Sequence, residues 1–374
     1  MSLIFKYRSI SRRAFAKQSS LAVAGSILAP VSLNAMKPAL PERLAMYQAE
    51  SARGIACLIC PNECVLKEGE ISVCRNRVVR KSKLYTMAFG NPCAANVDPV
   101  EKKPLNHFLP GTSAFSIATA GCNFACLNCQ NWTISQTSPD KTENYDLPPE
   151  DVVASAVANN CRSIAYTYSE PNTFFEYVYE TSKIARQQGI KNIMVSNGYI
   201  NPEPLKELCR YIDGANIDLK SFSDSTYLRL NGGKLQPVLD ALKIYRDEGV
   251  WLEITNLIVP GWTDKPEEIK LMCKWLAENG FTDVPLHFSR FQPLYKLENL
   301  PPTPLGTLVN AASIAHDAGL KYVYIGNVPG SDKDDTICPN CGKKVIERSG
   351  YRIVSNILKD GKCTCGTPIP GRWK

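Results

Sequence analysis

Histidine is scarce in this sequence: 374 residues contain only three, His107, His287 and His316. His107 lies in a proline-rich stretch and receives no role. Acidic side chains are absent from residues 1–36, which carry Lys6, Arg8, Arg12, Arg13 and Lys17. Much of the formal charge of +7 therefore sits in this leader, and the rest of the chain has 38 bases against 36 acids. A nearly neutral body gives no electrostatic case for a nucleic-acid partner. Long hydrophobic runs are missing too. The apolar stretch at 21–29 is too short to cross a bilayer, so no transmembrane span is expected. The composition, 44% hydrophobic and 21% charged, is that of a globular chain with one large domain and appendages, or two domains.

Cysteine, by contrast, is abundant. Eleven of the fifteen fall in three tight groups: Cys57, Cys60, Cys64 and Cys74; Cys122, Cys126 and Cys129; and Cys338, Cys341, Cys363 and Cys365. Such grouping reads as metal ligation rather than a disulfide framework. Cys93, Cys161, Cys209 and Cys273 stand alone and are expected as small core residues. The central triplet has C-x3-C-x2-C spacing directly after an apolar run, 115–118, so one loop could bring three thiolates to one centre. Three thiolates on a four-iron cubane leave one iron open for a ligand. A structural zinc or a ferredoxin-like site is the alternative for the triplet alone.

The stretch Gly121-Cys122-Asn123-Phe124-Ala125-Cys126-Leu127-Asn128-Cys129-Gln130-Asn131-Trp132 resembles radical S-adenosylmethionine (SAM) enzymes. Within them it is similar to the radical SAM protein of the AmmeMemoRadiSam system, a branch near the glycyl-radical (pyruvate formate-lyase) activating enzymes. The resemblance runs from about Cys57 to Trp373. It implies a [4Fe-4S] cluster on Cys122, Cys126 and Cys129 and SAM as cofactor.

From residue 115 onward, short β-rich runs alternate with helical patterns. Strands are expected at 115–119, 163–167, 192–196, 215–219, 251–259, 285–288 and 322–325. Helices are expected near 149–159, 173–188, 203–211, 236–248, 266–278 and 305–318. Pro149, Pro204 and Pro266 suit helix starts, and Gly189, Gly249, Gly280 and Gly319 suit helix ends. Alternation of this kind gives parallel strands covered by helices: a closed barrel, an open barrel or a doubly wound sheet. The resemblance selects an α/β fold, the partial (β/α)6 radical SAM barrel. In such barrels the chemistry sits at the C-terminal strand ends. There the resemblance places the SAM contacts: Glu170 after the second strand, with Tyr168 and Ser169 where the family has glycines; Ser196 and Asn197 after the third; Asp218 and Lys220 at the fourth; and His287 at the end of the sixth. Each also has a plainer reading: a capping carboxylate, an Asn-Gly turn, a surface ion pair. Leu257 to Asp264, an apolar run followed by Pro-Gly-Trp-Thr-Asp, resembles the activase strand end that packs on adenine, though Asp264 would also suit a cap on the helix at Pro266.

The expected organisation is a leader at 1–36, a Cys-rich segment at 37–111, the barrel at 112–330 and a zinc-ribbon-like tail at 331–374. Ser11-Arg12-Arg13-Ala14-Phe15-Ala16-Lys17 matches a twin-arginine export signal, which suggests the periplasm; the need for SAM and low-potential electrons argues for the cytoplasm. Cys57, Cys60, Cys64 and Cys74 are further candidate metal ligands, for a structural metal first and for a second Fe-S cluster as an electron relay second. The stretch 98–111 holds three prolines and is expected to pack across the barrel mouth. In the tail, Cys338, Cys341, Cys363 and Cys365 form a zinc-knuckle pattern. Its second half is C-x-C rather than C-x2-C, which leaves four-thiolate binding open.

The expected function is reductive cleavage of SAM to a 5′-deoxyadenosyl radical that abstracts hydrogen. A flavodoxin- or ferredoxin-type reductant protein is implied. The substrate is either a target in the AmmeMemoRadiSam system, with a Memo-like partner, or a glycyl-radical enzyme; the four-cysteine segments favour the first. A non-enzymatic iron-sulfur electron carrier is the rival from another class.

Overall fold

The computed structural model describes residues 42–374 except 329, 331 and 332. The expected leader, with its twin-arginine pattern, lies outside the described residues.

Most of the body is one eight-stranded sheet. Its edge strand β1 (Ala94–Pro99) runs antiparallel to β2 (Ser113–Ala118), from Ala94 opposite Ala118 to Pro99 opposite Ser113. From β2 onward every strand is parallel to the one before it: β3 (Ser163–Tyr166), β4 (Lys191–Ser196), β5 (Gly214–Asp218), β6 (Trp251–Ile258), β7 (Leu286–Arg290) and β8 (Val323–Gly326). Spatial order equals sequence order, so there is no reversal of the doubly wound kind. The last strand does not pair with the first, which makes the barrel open. Six helices connect the seven parallel strands: α1 (Pro149–Ala158), α2 (Phe175–Gln187), α3 (Pro202–Cys209), α4 (Leu235–Asp247), α5 (Pro266–Glu278) and α6 (Leu305–Asp317). Proline occupies the first turn of α1, α3 and α5, where its missing N–H costs nothing. Strand residues such as Ile164, Tyr166, Met194, Ile217 and Phe288 are fully buried, as both faces of a helix-covered parallel sheet should be.

The stretch 98–111 does not cross the mouth. Leu105, Phe108 and Leu109 pack with Val100, Ala114, Ala165 and Ile193. Asn106 and His107 donate their backbone N–H to Glu253, the third residue of β6, at 2.9 and 2.7 Å. Large apolar side chains bring this segment to the strand starts, where it plugs the floor. Gly214, which opens β5, leaves room for Phe108: a Cβ there would lie 2.8 Å from the ring. His107 is buried, and burial pushes its pKa down to about 4. It holds the tail through Pro370 O, 2.6 Å from Nδ1, and Tyr324 through Nε2 at 2.5 Å.

Two flanks complete the body. Residues 43–86 form two small antiparallel sheets, fastened to α2 by Arg77, whose Nη1 lies 2.7 Å from both Glu176 oxygens. The tail forms β9 (Thr336–Ile337), β10 (Lys344–Ser349) and β11 (Arg352–Asn356). Arg348 of β10 donates to Asn106 O at 2.7 Å, so tail and floor plug meet across the open seam of the barrel. No helix among the described residues is long and apolar enough to cross a membrane.

Candidate functional site

The loop after β2 carries the cysteine triplet, and a short π-helical turn, Tyr227–Asn231, holds it in place. Ala125 N donates to Asn231 O and Leu127 N to Leu230 O, both at 2.9 Å. Phe124 anchors the loop between Tyr199 and Tyr227, and Gly233 makes way for it, since a Cβ there would lie 2.2 Å from the ring. Donors converge on the sulfurs. Asn231 Nδ2 lies 3.2 Å from Cys126 Sγ, Phe124 N 3.4 Å from Cys122 Sγ, and the Ser135 hydroxyl faces Cys129. Burial pushes all three thiols up, so these groups are poorly suited to stand as free thiolates; donors aimed at sulfur suit metal-bound ones.

The triplet opens into a cavity of about 530 Å³, of a size that holds a nucleoside-bearing cofactor. Glu170, Ser196, Asn197, Asp218, Lys220 and His287 line the same cavity, so every SAM contact expected from the resemblance is gathered with the cysteines. Glu170 is buried and pushed up to about 7 by that burial. Its carboxylate accepts from Ser196 Oγ at 2.7 Å, Asn197 N at 2.8 Å and Asn172 N at 3.1 Å. Three of its roughly four acceptor positions are therefore occupied by the chain itself. Tyr168 takes the left-handed conformation, φ 64°, that a glycine would adopt without strain. Its hydroxyl reaches Asp98, and Lys103 Nζ sits 4.5 Å from its ring centre. Burial alone would raise Asp98, but bonds from Lys102, Lys103 and Tyr168 hold it well below the usual carboxylate range.

Lys220 Nζ pairs with Asp218 at 2.7 Å. Burial opposes its charge, yet Asp218 keeps it firmly protonated. His287 does not end its strand. It is second in β7, which continues to Arg290 because Arg290 still pairs with Ile258 of β6. Its Nε2 lies 2.7 Å from Glu253 and its ring stacks on Tyr324. Asp264 accepts from Gly261 N at 2.9 Å, closing its own turn rather than capping α5.

Several residues of this site carried no motif. Glu253 has 0% exposure and accepts from Asn106, His107 and Trp251 as well as His287. The one signal was a single charged residue inside a buried parallel strand, Trp251–Ile258. Asn123 and Asn231, which orient the cysteines, look like ordinary turn residues in sequence.

The tail cysteines form a second site. The sulfurs of Cys338, Cys341, Cys363 and Cys365 all lie within 4.8 Å of one another, so the four converge as ligands for one ion could. The shortened C-x-C half still closes, because Gly366 N turns back to Cys363 O at 2.8 Å. Hydrogen bonds from the Thr367 hydroxyl and backbone bring Cys365 down to about 5, favouring the thiolate a metal requires.

A family profile for the Radical SAM superfamily matches residues 116–276. An uncharacterized protein of Methanocaldococcus jannaschii is 44% identical over 326 residues, covering 86% of this chain and 97% of its own. The pyruvate formate-lyase 1-activating enzyme of Escherichia coli is 22% identical over 218 residues, 54% of this chain and 89% of that enzyme. Among solved structures, a domain of pyruvate-formate lyase-activating enzyme from Bacteroides vulgatus matches 44% of this chain and 99% of its own, with 19% identity and a TM-score of 0.39. Streptococcus suis SuiB bound to S-adenosylmethionine matches 61% of this chain and 53% of its own, with 13% identity and a TM-score of 0.45.

Proposed function

The chain belongs to the radical SAM superfamily, and on that premise we infer that it cleaves SAM reductively at a [4Fe-4S] cluster held by Cys122, Cys126 and Cys129. The observation that carries this reading is the opening of all three thiols into one cavity with polar side chains from successive strand ends. The triplet also fits the cluster chemically: each sulfur faces an N–H or O–H donor, and no three thiols there crowd to single-ion spacing, as the tail set does. When bound, the cluster would supply one electron to the sulfonium of SAM, yielding methionine and a 5′-deoxyadenosyl radical able to take hydrogen from a substrate.

The chain's own residues bind and orient. Lys220, kept charged by Asp218, offers an ammonium to the SAM carboxylate, and Asp218 offers an acceptor for hydroxyls. Glu170 fixes Ser196 and Asn197 and retains one acceptor position for the SAM amino group. His287, tied to Glu253, shapes the inner wall. The buried floor plug and the Arg348 contact exclude water from the lower cavity.

The substrate reading we propose is a target within an AmmeMemoRadiSam-type system, with a Memo-like protein as partner; activation of a glycyl-radical enzyme is the second reading. The first is supported by the cysteine-rich flanks. A Memo-like gene beside this one would favour it, and a glycyl-radical enzyme gene would favour the second.

Residues 37–374, reconstituted anaerobically with iron and sulfide and reduced with dithionite, test the core of this function. The expected result is a cluster EPR signal that SAM perturbs, with 5′-deoxyadenosine formed, and neither in Cys126→Ala. A full cluster indifferent to SAM, with no product, would replace this reading by a non-enzymatic electron carrier.

A further inference from the structure

We propose that Cys57, Cys60, Cys64 and Cys74 hold a second iron-sulfur cluster, which passes single electrons to the cluster at the triplet. The proposal rests on the radical SAM reading only for the electron's destination. The four cysteines lie in one small fold: Cys57 N donates to Cys64 O at 2.9 Å, Glu63 N turns back to Cys60 O at 3.0 Å, and Cys74 lies within electrostatic reach of the other three thiols. Each sulfur faces a donor, with backbone N–H of Ile59 at Cys57, of Asn62 at Cys60 and of Val73 at Cys64, and the Ser72 hydroxyl 3.1 Å from Cys74.

Spacing separates a cluster from a lone ion. The tail set draws four sulfurs within 4.8 Å, yet among the described residues no three of this set come so close. A cubane puts each cysteine on a different iron and so spreads the sulfurs; a tetrahedral zinc gathers them. Arg77, 1% exposed, supplies positive charge beside Cys57 and Cys74, and its Nη2 has no hydrogen-bond partner. A spare buried donor next to two thiolates suits a centre of net negative charge.

Placement supplies the relay. The loop of this set lies against the triplet loop. Asn62 Nδ2 donates to Asn123 O at 2.9 Å, and the Asn123 side chain faces the Cys60 thiol. Asn123 is Cys122's chain neighbour, and Asn197 bridges its Oδ1, at 2.8 Å, toward Cys122 Sγ, at 3.9 Å. One asparagine thus separates a ligand of one centre from a ligand of the other. On the far side Val73, next to Cys74, is 62% exposed, which puts this centre one residue from solvent. In the proposed step a low-potential one-electron protein donor of the ferredoxin or flavodoxin class is oxidised by one electron. The second cluster is reduced from 2+ to 1+ and then returns to 2+ as the triplet cluster takes the electron. No bond or proton changes hands.

The test uses the full chain, reconstituted anaerobically, in three forms: parent, Cys122→Ala/Cys126→Ala/Cys129→Ala, and Cys60→Ala/Cys64→Ala. The expected parent holds about eight irons with matching acid-labile sulfide, and the triplet variant keeps about half, with a reduced EPR signal indifferent to SAM. A triplet variant that holds no acid-labile sulfide and takes zinc beyond the one ion the tail set accommodates would overturn the second cluster, even if the parent's signal responds to SAM. Two clusters in the parent with neither responding to SAM would defeat the radical SAM reading and leave the second cluster standing. In Cys60→Ala/Cys64→Ala, dithionite should still support 5′-deoxyadenosine formation while reduced flavodoxin supports about tenfold less than in the parent. Equal rates with flavodoxin would overturn the relay.

Discussion

Glu170 shows how one buried carboxylate can organise a ligand site and penalise the fold. Burial pushes it up to about 7. Well below the ordinary carboxylate value both states are protonated. Between that value and about 7 the folded protein keeps a proton that the unfolded chain has released, so stability falls as pH rises through this window. The shift corresponds to about 3 kcal/mol lost by pH 8. His107, pushed down to about 4, works in the opposite direction below about pH 6.5, so the parent profile alone mixes the two. Comparison with Glu170→Gln isolates the carboxylate: in urea unfolding of the metal-free protein the variant should match the parent near pH 5, where the parent's Glu170 is itself neutral, and gain on it by about 3 kcal/mol by pH 8. A parent–variant difference that stays flat from pH 5 to pH 8 would rule the shift out. Sequence alone had named Glu170, but for a ligand amine; its bonds to Ser196 and Asn197 were not legible, because nothing in a sequence says which backbone N–H groups will point at a carboxylate. Asn123, Asn231 and Glu253 were missed for the related reason that their partners lie 74, 105 and 34 to 147 positions away.

At the scale of elements, contact between the two cysteine loops depends on a missing side chain. Gly121 has φ 96°, and a Cβ there would lie 2.4 Å from Cys74 O and 2.6 Å from Asn76 Oδ1. Gly121→Ala must therefore push backbone from backbone, and we expect a loss of more than about 3 kcal/mol in urea unfolding. Gly249→Ala, also at positive φ but facing open space, should cost only about 1 kcal/mol. Equal costs would mean that the loops are not pressed together. The six helices were readable from proline and glycine punctuation, since φ limits act locally whatever the tertiary context. The edge strand Ala94–Pro99 was not: its sequence, Ala-Ala-Asn-Val-Asp-Pro, neither alternates nor avoids proline, and it is a strand because β2 offers it a partner. The destination of 98–111 was misjudged because prolines exclude a helix but say nothing about which end of a barrel Phe108 will fill.

For the whole molecule, the question is what keeps two cysteine-rich flanks on an open barrel. Besides apolar packing, the first flank is joined to α2 by a buried ion pair, Arg77 with Glu176, at 1% and 2% side-chain exposure. Removing one partner strands the other's charge. Arg77→Met should cost about 3–5 kcal/mol and Glu176→Gln a similar amount, with a double variant well short of the sum. Additive losses in urea unfolding would show that the two do not act as a pair. The tail is held differently. Its core is small, Tyr322 and Tyr324 with Val345, Ile346 and Ile369 around Cys338 and Cys363, and two of the four ligands, Cys341 and Cys365, are exposed. So small a core would leave much of the tail's order to an ion held by the four sulfurs. The floor contacts at His107 involve only its last residues. Chelation of that ion, or Cys341→Ser, should therefore strip hydrogen-exchange protection from β10 and β11 while β3 to β6 keep theirs, with about one zinc lost per chain. Unchanged protection in the tail would mean that packing alone orders it. Loss across the barrel as well would mean that the tail is part of the barrel's folding unit, because Arg348 and Asn106 close the seam between them.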